Sequence, residues 1–276
     1  MSRNFELLQN IGKDQDYFQP DRVLTEPVPA PAEPLPDKLV EALEAATANA
    51  EPVPADVVSA EPLQLNFEPA QLAELSKLVQ RVFLLPGGEY NHTVVFTASD
   101  SGNGCSWITA RVGELLANQV TGRVCVVDAN LQNPTLHEQF GVANHHGLAD
   151  ALRLSGSIRG YVSQLSRRNL ALLSCGSDLR EGQNLVTSDR MRARMLELRS
   201  EFDYILIDCP SVSSSNEALS VGSIADGVVL VLKANSTRKD RARSAVHDLQ
   251  TANVKILGAV LNQRTFPIPD SIYSKL

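Results

Sequence analysis

Three stretches of the chain carry small, acidic or thiol side chains at the point where an apolar run gives way to a helical pattern, and all three suit phosphate and magnesium chemistry. The first is Ala98-Ser99-Asp100-Ser101-Gly102-Asn103-Gly104-Cys105-Ser106-Trp107, which follows the run Thr93 to Thr97. A small-residue loop feeding a helix N-terminus cradles phosphate oxygens with backbone N–H groups and the helix dipole. The others are Val127-Asp128-Ala129-Asn130-Leu131-Gln132-Asn133-Pro134 and Ile205-Leu206-Ile207-Asp208-Cys209-Pro210, each closing an apolar run on an aspartate. An aspartate beside a phosphate loop holds a magnesium ion or its water. Taken singly, a two-glycine loop is also a plain strand-to-helix turn, and each aspartate is also a plain helix cap or turn residue. Their joint occurrence at strand ends favours the chemistry.

Short β-branched runs alternate with longer helical patterns from His92 onward. The runs are Thr93 to Thr97, Arg123 to Asp128, Leu170 to Ser174, Tyr204 to Asp208, Gly227 to Leu232 and Lys255 to Leu261. Helical patterns lie at Ser106 to Gln119, Gly147 to Arg153, Ser188 to Glu201, Asn216 to Ile224 and Thr237 to Ala252, the last with a stripe of Ala242, Ala245, Val246, Leu249 and Ala252. Continuous rather than alternating apolar strands predict a parallel sheet covered on both faces, hence a doubly wound α/β fold, mainly parallel. Ligands of such sheets bind outside the carboxyl ends of the strands, where all three stretches fall. A further helix is predicted over Glu68 to Leu85, with Leu72, Leu75, Leu78, Val79, Val82 and Phe83 on one face before the turn Pro86-Gly87-Gly88. The α/β domain is therefore placed at 68–276.

Residues 18–67 read as a disordered Pro/Ala/Glu-rich linker, since the stretch from Phe18 to about Ala70 holds ten of the fifteen prolines. One short helix is expected within it, from Pro36 to Ala50. In residues 1–17, Phe5, Leu8 and Ile11 fall on one helical face. That segment is either a small docking helix or a frayed terminus.

A net charge of −7, with no long basic stripe, argues against nucleic-acid binding. No apolar run reaches the roughly 20 residues that span a bilayer, and the first residues lack a signal peptide's pattern, which predicts a cytoplasmic protein. Cys105, Cys125, Cys175 and Cys209 show no paired spacing, so neither disulfides nor zinc are expected, and three of them read as buried free thiols. Cys105, at a helix N-terminus, has two readings: a thiolate with depressed pKa, or an inert replacement. The pair His145-His146 reads as surface loop.

The residues also carry a family resemblance. The chain resembles the bacterial tyrosine kinases of capsule and exopolysaccharide assembly, the CpsD and CapB type, within the MinD and ParA group of P-loop ATPases. The family pattern T-S-x-x-P-G-E-G-K-S-T aligns with Thr97 to Trp107, retaining Gly102, Gly104 and Ser106. The pattern D-x-D-L-R-x-P-x-L-H aligns from Asp128 to His137 through Leu131, Pro134 and Leu136, and F-D…D-x-P aligns from Phe202 to Pro210. Gly147 to Leu152, Ala225-Asp226-Gly227, Gly258 to Asn262, the opening MSRNFELLQ and the closing Pro267 to Tyr273 are similar too. The resemblance implies ATP or ADP with Mg2+ on Gly102, Asn103, Gly104, Cys105, Ser106 and Trp107, metal on Ser106, Asp128 and Asp208, and Asn262 in the base pocket. It makes Asp128 and Asp208 the residual catalytic pair and Tyr273 the phospho-acceptor.

The departures fall on catalytic positions. Cys105 stands where the family has its phosphate-binding lysine, Asn130 where it has a second aspartate, and Gln132 where it has an arginine. Loss of a cation and an anion from a phosphoryl-transfer site costs several powers of ten in rate. Arg111 and Arg123 are the candidates to replace the cation. The helix bearing the family's E-x-x-R-x-x-R ring-forming pattern has Glu74, Lys77 and Gln80, with Arg81 one place late, which leaves a homo-oligomer in question. The favoured expectation is a catalytically impaired relative, peripheral at the inner face of the plasma membrane, that regulates polysaccharide polymerisation or export by binding a membrane-embedded co-polymerase or chain-length regulator. The alternatives are an active tyrosine autokinase and a MinD-like positioning ATPase. Asp100, in the place of that last group's signature lysine, weighs against it.

Overall fold

A computed structural model of the chain describes residues 69–84, 91–167, 169–177, 186 and 189–264. The six apolar runs are strands: β1 (Thr93–Ala98), β2 (Val124–Asp128), β4 (Leu170–Leu173), β5 (Tyr204–Asp208), β6 (Gly227–Lys233) and β7 (Ile256–Asn262). They form one sheet in the order β3-β4-β2-β5-β1-β6-β7, parallel throughout except at β3 (Ser163–Gln164), which pairs antiparallel with β4. Every residue of β1, β2 and β4 is buried, which is why these strands read as unbroken apolar runs.

Two cores follow from this burial, one on each face. On one face α1 (Pro69–Phe83), α2 (Cys105–Gln119) and α3 (Leu136–Phe140) pack Val79, Phe83, Leu116 and Leu136 against Val94, Phe96, Val126 and Leu206. On the other, α4 (Leu148–Arg153), α5 (Asp189–Glu201), α6 (Glu217–Gly222) and α7 (Lys239–Thr251) pack Leu152, Leu198, Val221 and Leu249 against Val95, Val127, Ile205 and Leu230. The fold is thus doubly wound, as expected. Helix α2 lies close on β2 because Gly113 has no side chain: a Cβ there would come within 2.6 Å of Val126 Cγ2.

Several expectations need correction. Strand β3, with two residues, and α3, with five, are too short to show a periodicity and were not anticipated. Leu72 is 40% exposed rather than part of the buried face of α1. Strand β5 lies between β1 and β2. The segments 1–17 and 18–67, the helix at Pro36 to Ala50, the turn Pro86-Gly87-Gly88 and Tyr273 lie outside the described residues.

Candidate functional site: a phosphate loop without its cation

The loop after β1 is fixed by its neighbours at the carboxyl edge. Cys209 N donates to Phe96 O at 2.9 Å, Val212 N to Ala98 O at 2.9 Å, and Ser99 N to Val231 O at 3.3 Å, so β5 and β6 hold it from both sides. Gly102 and Gly104 take positive φ of 80° and 82°, a region glycine enters without strain. Gly104 then caps α2, accepting from Ile108 N at 3.1 Å.

Asn103, expected to face nucleotide, is only 4% exposed and turned inward. Its Nδ2 donates to Ser99 Oγ at 3.1 Å, to Val231 O at 3.3 Å and, at 3.5 Å, toward Thr237 Oγ1. Its role is to pin the loop to the end of β6. Asn262, expected in a base pocket, lies beside the loop: its Nδ2 donates to Asn103 O at 2.9 Å. Trp107 is half-buried against the α1–α2 core.

Ser106, Asp208 and Asp128 come together. Ser106 Oγ donates to Asp208 Oδ2 at 2.5 Å, and the Thr109 hydroxyl reaches Asp208 Oδ1 at 3.5 Å. Asp128 and Asp208 are direct register partners on β2 and β5, both fully buried. Asp128 accepts Asn130 N at 3.2 Å and Leu136 N at 3.1 Å, so it also anchors the start of α3. Burial raises the pKa of both carboxyls, and the Asp208 charge pushes Asp128 up further. The hydroxyl and the two carboxylates fit a magnesium ion that completes its shell with water and phosphate oxygens. Among the described residues no three His, Cys, Asp or Glu side chains gather as a protein-only metal cage.

Of the two readings of Cys105, the electrostatics oppose the thiolate. Burial, and then the charge of Asp208 beside it, push the thiol well above its ordinary range. The helix N-terminus does not make it a thiolate, because burial and the facing carboxylate oppose ionisation. Asn130 Oδ1 accepts its own turn's Asn133 N at 3.3 Å, and Gln132 is exposed.

Neither arginine proposed to replace the lysine reaches the loop. Arg111 Nη1 lies 3.0 Å from Glu114 Oε2 inside the packing of α2, and Arg123 sits over the Phe202 ring at 4.7 Å and 3.3 Å from Glu201, at the amino edge of the sheet. Asp100 of the loop forms a partly exposed pair with Arg241 of α7, whose Nη1 lies 3.9 Å from Asp100 Oδ1. The sequence reading also passed over a hydroxyl cluster beside the loop. Ser211 Oγ lies 3.3 Å from Ser101 Oγ, 2.9 Å from Ser214 Oγ and 3.3 Å from Ser213 Oγ. The run Ser213-Ser214-Ser215 just after Asp208-Cys209-Pro210 was its signal.

A doubly wound sheet with a glycine loop after β1, a loop serine on the aspartate of the adjacent strand and a second aspartate in register defines a P-loop NTPase-like protein of the MinD and ParA class. The sequence model of the family described as cellulose biosynthesis protein BcsQ matches residues 92–251. Tyrosine-protein kinase YwqD of Bacillus subtilis is 30% identical over 170 residues, covering 62% of this chain and 71% of YwqD. The chain belongs to this family of bacterial tyrosine-kinase-like P-loop proteins. Succinoglycan biosynthesis transport protein ExoP of Rhizobium meliloti is 27% identical over 183 residues, covering 65% of this chain but only 23% of ExoP. Among solved structures, the chimerical protein CapA2B2 superposes with a TM-score of 0.67 at 21% identity, covering 74% of this chain and 88% of that one, and shares the fold.

Proposed function

We propose that this chain is a catalytically impaired member of its family that regulates exopolysaccharide or capsule polymerisation or export by docking on a membrane-embedded co-polymerase or chain-length regulator. The observation that carries the impairment is Cys105 itself, a thiol beside the Asp208 charge at the position where the family pattern has a lysine. Phosphoryl transfer relies on neutralising the charge of the transferred group, and a neutral thiol supplies none of it. Asn130 removes a carboxylate at the second position and spends its oxygen on its own turn. The glycine loop, Ser106, Asp128 and Asp208 remain able to hold ATP or ADP with Mg2+, with affinity reduced by the missing charge.

The names of the succinoglycan biosynthesis transport protein ExoP and of the matching cellulose biosynthesis family support the polysaccharide setting. Among the described residues no helix is long and apolar enough to cross a membrane, so the proposed position at the inner face of the plasma membrane depends on the partner. An active autokinase is the second reading, favoured by the Ser106–Asp208 contact.

Calorimetric titration of the full chain with ATP and Mg2+, beside the Cys105→Lys, Asn130→Asp double variant, tests the proposal. The native chain is expected to bind at least tenfold more weakly than the variant and to incorporate no label from labelled ATP. Autophosphorylation of the native chain that is abolished by Tyr273→Phe would establish the autokinase instead. Absence of binding to the purified cytoplasmic part of the co-polymerase would remove the docking role.

A further inference from the structure

Charge is divided unevenly along the chain. Residues 1–68 hold thirteen Asp and Glu against four Lys and Arg, out of 32 and 25 in the whole sequence, so the remainder is slightly basic although the net charge is −7. Within that remainder, cations gather where β6 turns into α7. Lys233, Arg238, Lys239, Arg241 and Arg243 fall within eleven residues that contain a single acid, Asp240. Arg238, Lys239, Arg241 and Arg243 are all exposed. Arg238 and Lys239 occupy the cap and first position of α7, against the helix dipole, so the turn carries a positive potential that its own helix does not relieve.

This basic surface adjoins the phosphate loop through Thr237, which faces Asn103 Nδ2 at 3.5 Å, and through Arg241 beside Asp100. The acidic part of the chain immediately precedes α1 in sequence. Helix α1 ends at the amino edge of the sheet, where the Phe83 ring meets the ring of Tyr204, the first residue of β5, at 6.1 Å, and Asn91 Nδ2 donates to Val82 O at 2.7 Å. Its 15 residues rise about 22 Å, close to the height of the six-residue β1, about 20 Å. The helix packs on α2, and its length is enough to reach from the amino edge to the carboxyl edge, where the loop and the basic turn lie.

We infer that the segment immediately before α1, residues 44–68, docks on the basic surface formed by Arg238, Lys239, Arg241 and Arg243. That segment carries Glu44, Glu51, Asp56, Glu61 and Glu68 and no Lys or Arg. Length does not limit the contact: at about 3.1 Å per extended residue the 17 residues between Glu51 and Glu68 reach about 50 Å, whereas seven strands at about 4.8 Å spacing span about 30 Å. The docked segment sets carboxylates beside the loop that would take phosphate. The contact does not depend on whether nucleotide binds.

The test is zero-length carbodiimide cross-linking of the full chain at low micromolar concentration, with peptide mapping of links to Lys239. Links from Lys239 to Glu51, Asp56 or Glu61 within monomeric protein are expected, falling at least tenfold in 0.5 M NaCl. The same loss is expected in an R238E, R241E, R243E variant and in an E51Q, D56N, E61Q variant, whose changes lie outside the α/β domain. Links confined to the dimer band would assign the surface to a second copy and overturn the proposal. Links to acids outside 44–68, links insensitive to salt and to both variants, or no links from Lys239 at all would overturn it equally.

Discussion

The Ser106 hydroxyl donates to Asp208 Oδ2 at 2.5 Å, and the neighbouring Cys105 thiol lies beside the same carboxylate. Burial and the Asp208 charge hold the thiol protonated, so alkylation of native protein at pH 8 should be slower than that of free cysteine. Asp208→Asn removes the charge and should speed labelling of Cys105, with burial still holding it below the rate of free cysteine. Rates followed by mass spectrometry at Cys105 check this. Native labelling faster than free cysteine would show the thiol to be activated after all.

The close fit of Gly104 against Asn262 makes a second prediction. A Cβ at Gly104 would lie 2.4 Å from Asn262 Nδ2, and the residue's φ of 82° is itself unfavourable for alanine. Gly104→Ala should therefore cost about 2 kcal/mol, combining displacement of Asn262 with backbone strain. In the double variant with Asn262→Ala the steric part disappears and the strain of about 1 kcal/mol remains. Urea unfolding of the two singles and the double closes the cycle. Simple additivity would mean that the two residues do not compete for space.

Much of this architecture was legible because burial on both faces of a strand leaves a direct mark in sequence. Tyr204 to Asp208 and Gly227 to Leu232 were readable as strands for that reason, and Asp128 and Asp208 followed as strand ends. What escaped notice depends on partners far along the chain. Asn103 looks like a loop residue until Val231, 128 positions away, takes its amide. Arg241 looks like part of an exposed helix until α7 brings it to Asp100. Cys105 was legible as a departure, but its protonation depends on its burial and on Asp208, which helix position alone does not reveal.

Glu114 makes stability depend on pH away from the site. It is buried on α2 with Oε2 3.0 Å from Arg111 Nη1, yet burial outweighs the arginine and raises its pKa from 4.5 to about 7. An acid whose folded pKa is raised binds its proton more tightly in the folded state. Its contribution is complete below about pH 4.5 and is lost as pH rises through about 7. The loss is bounded at about 3 kcal/mol. Urea midpoints at pH 5 and pH 8 should therefore fall more steeply with pH for the native chain than for Glu114→Gln. Parallel slopes would place this titration elsewhere.

Asp226 works in the opposite direction, and at the opposite edge of the sheet. Its Oδ2 accepts His92 N at 2.8 Å and Thr93 N at 2.7 Å, while Oδ1 takes Arg199 Nη2 at 2.7 Å, and Asp226 N donates to Thr93 O at 2.9 Å. Burial raises its pKa, but Thr93 N–H, Arg199 and His92 N–H outweigh burial and hold it below the usual range. The stability it supplies is therefore present above about pH 4 and is lost as the pH falls further. Asp226→Ala leaves the amides at the start of β1 without their acceptor and should cost about 2 kcal/mol at pH 7. Native and variant midpoints should converge toward pH 3. Because β1 carries the phosphate loop at its far end, the same variant separates support of the strand from binding. Its nucleotide affinity, measured well below its melting temperature, should match that of the native chain, and a tenfold loss would show that anchoring the start of β1 sets the geometry of the loop.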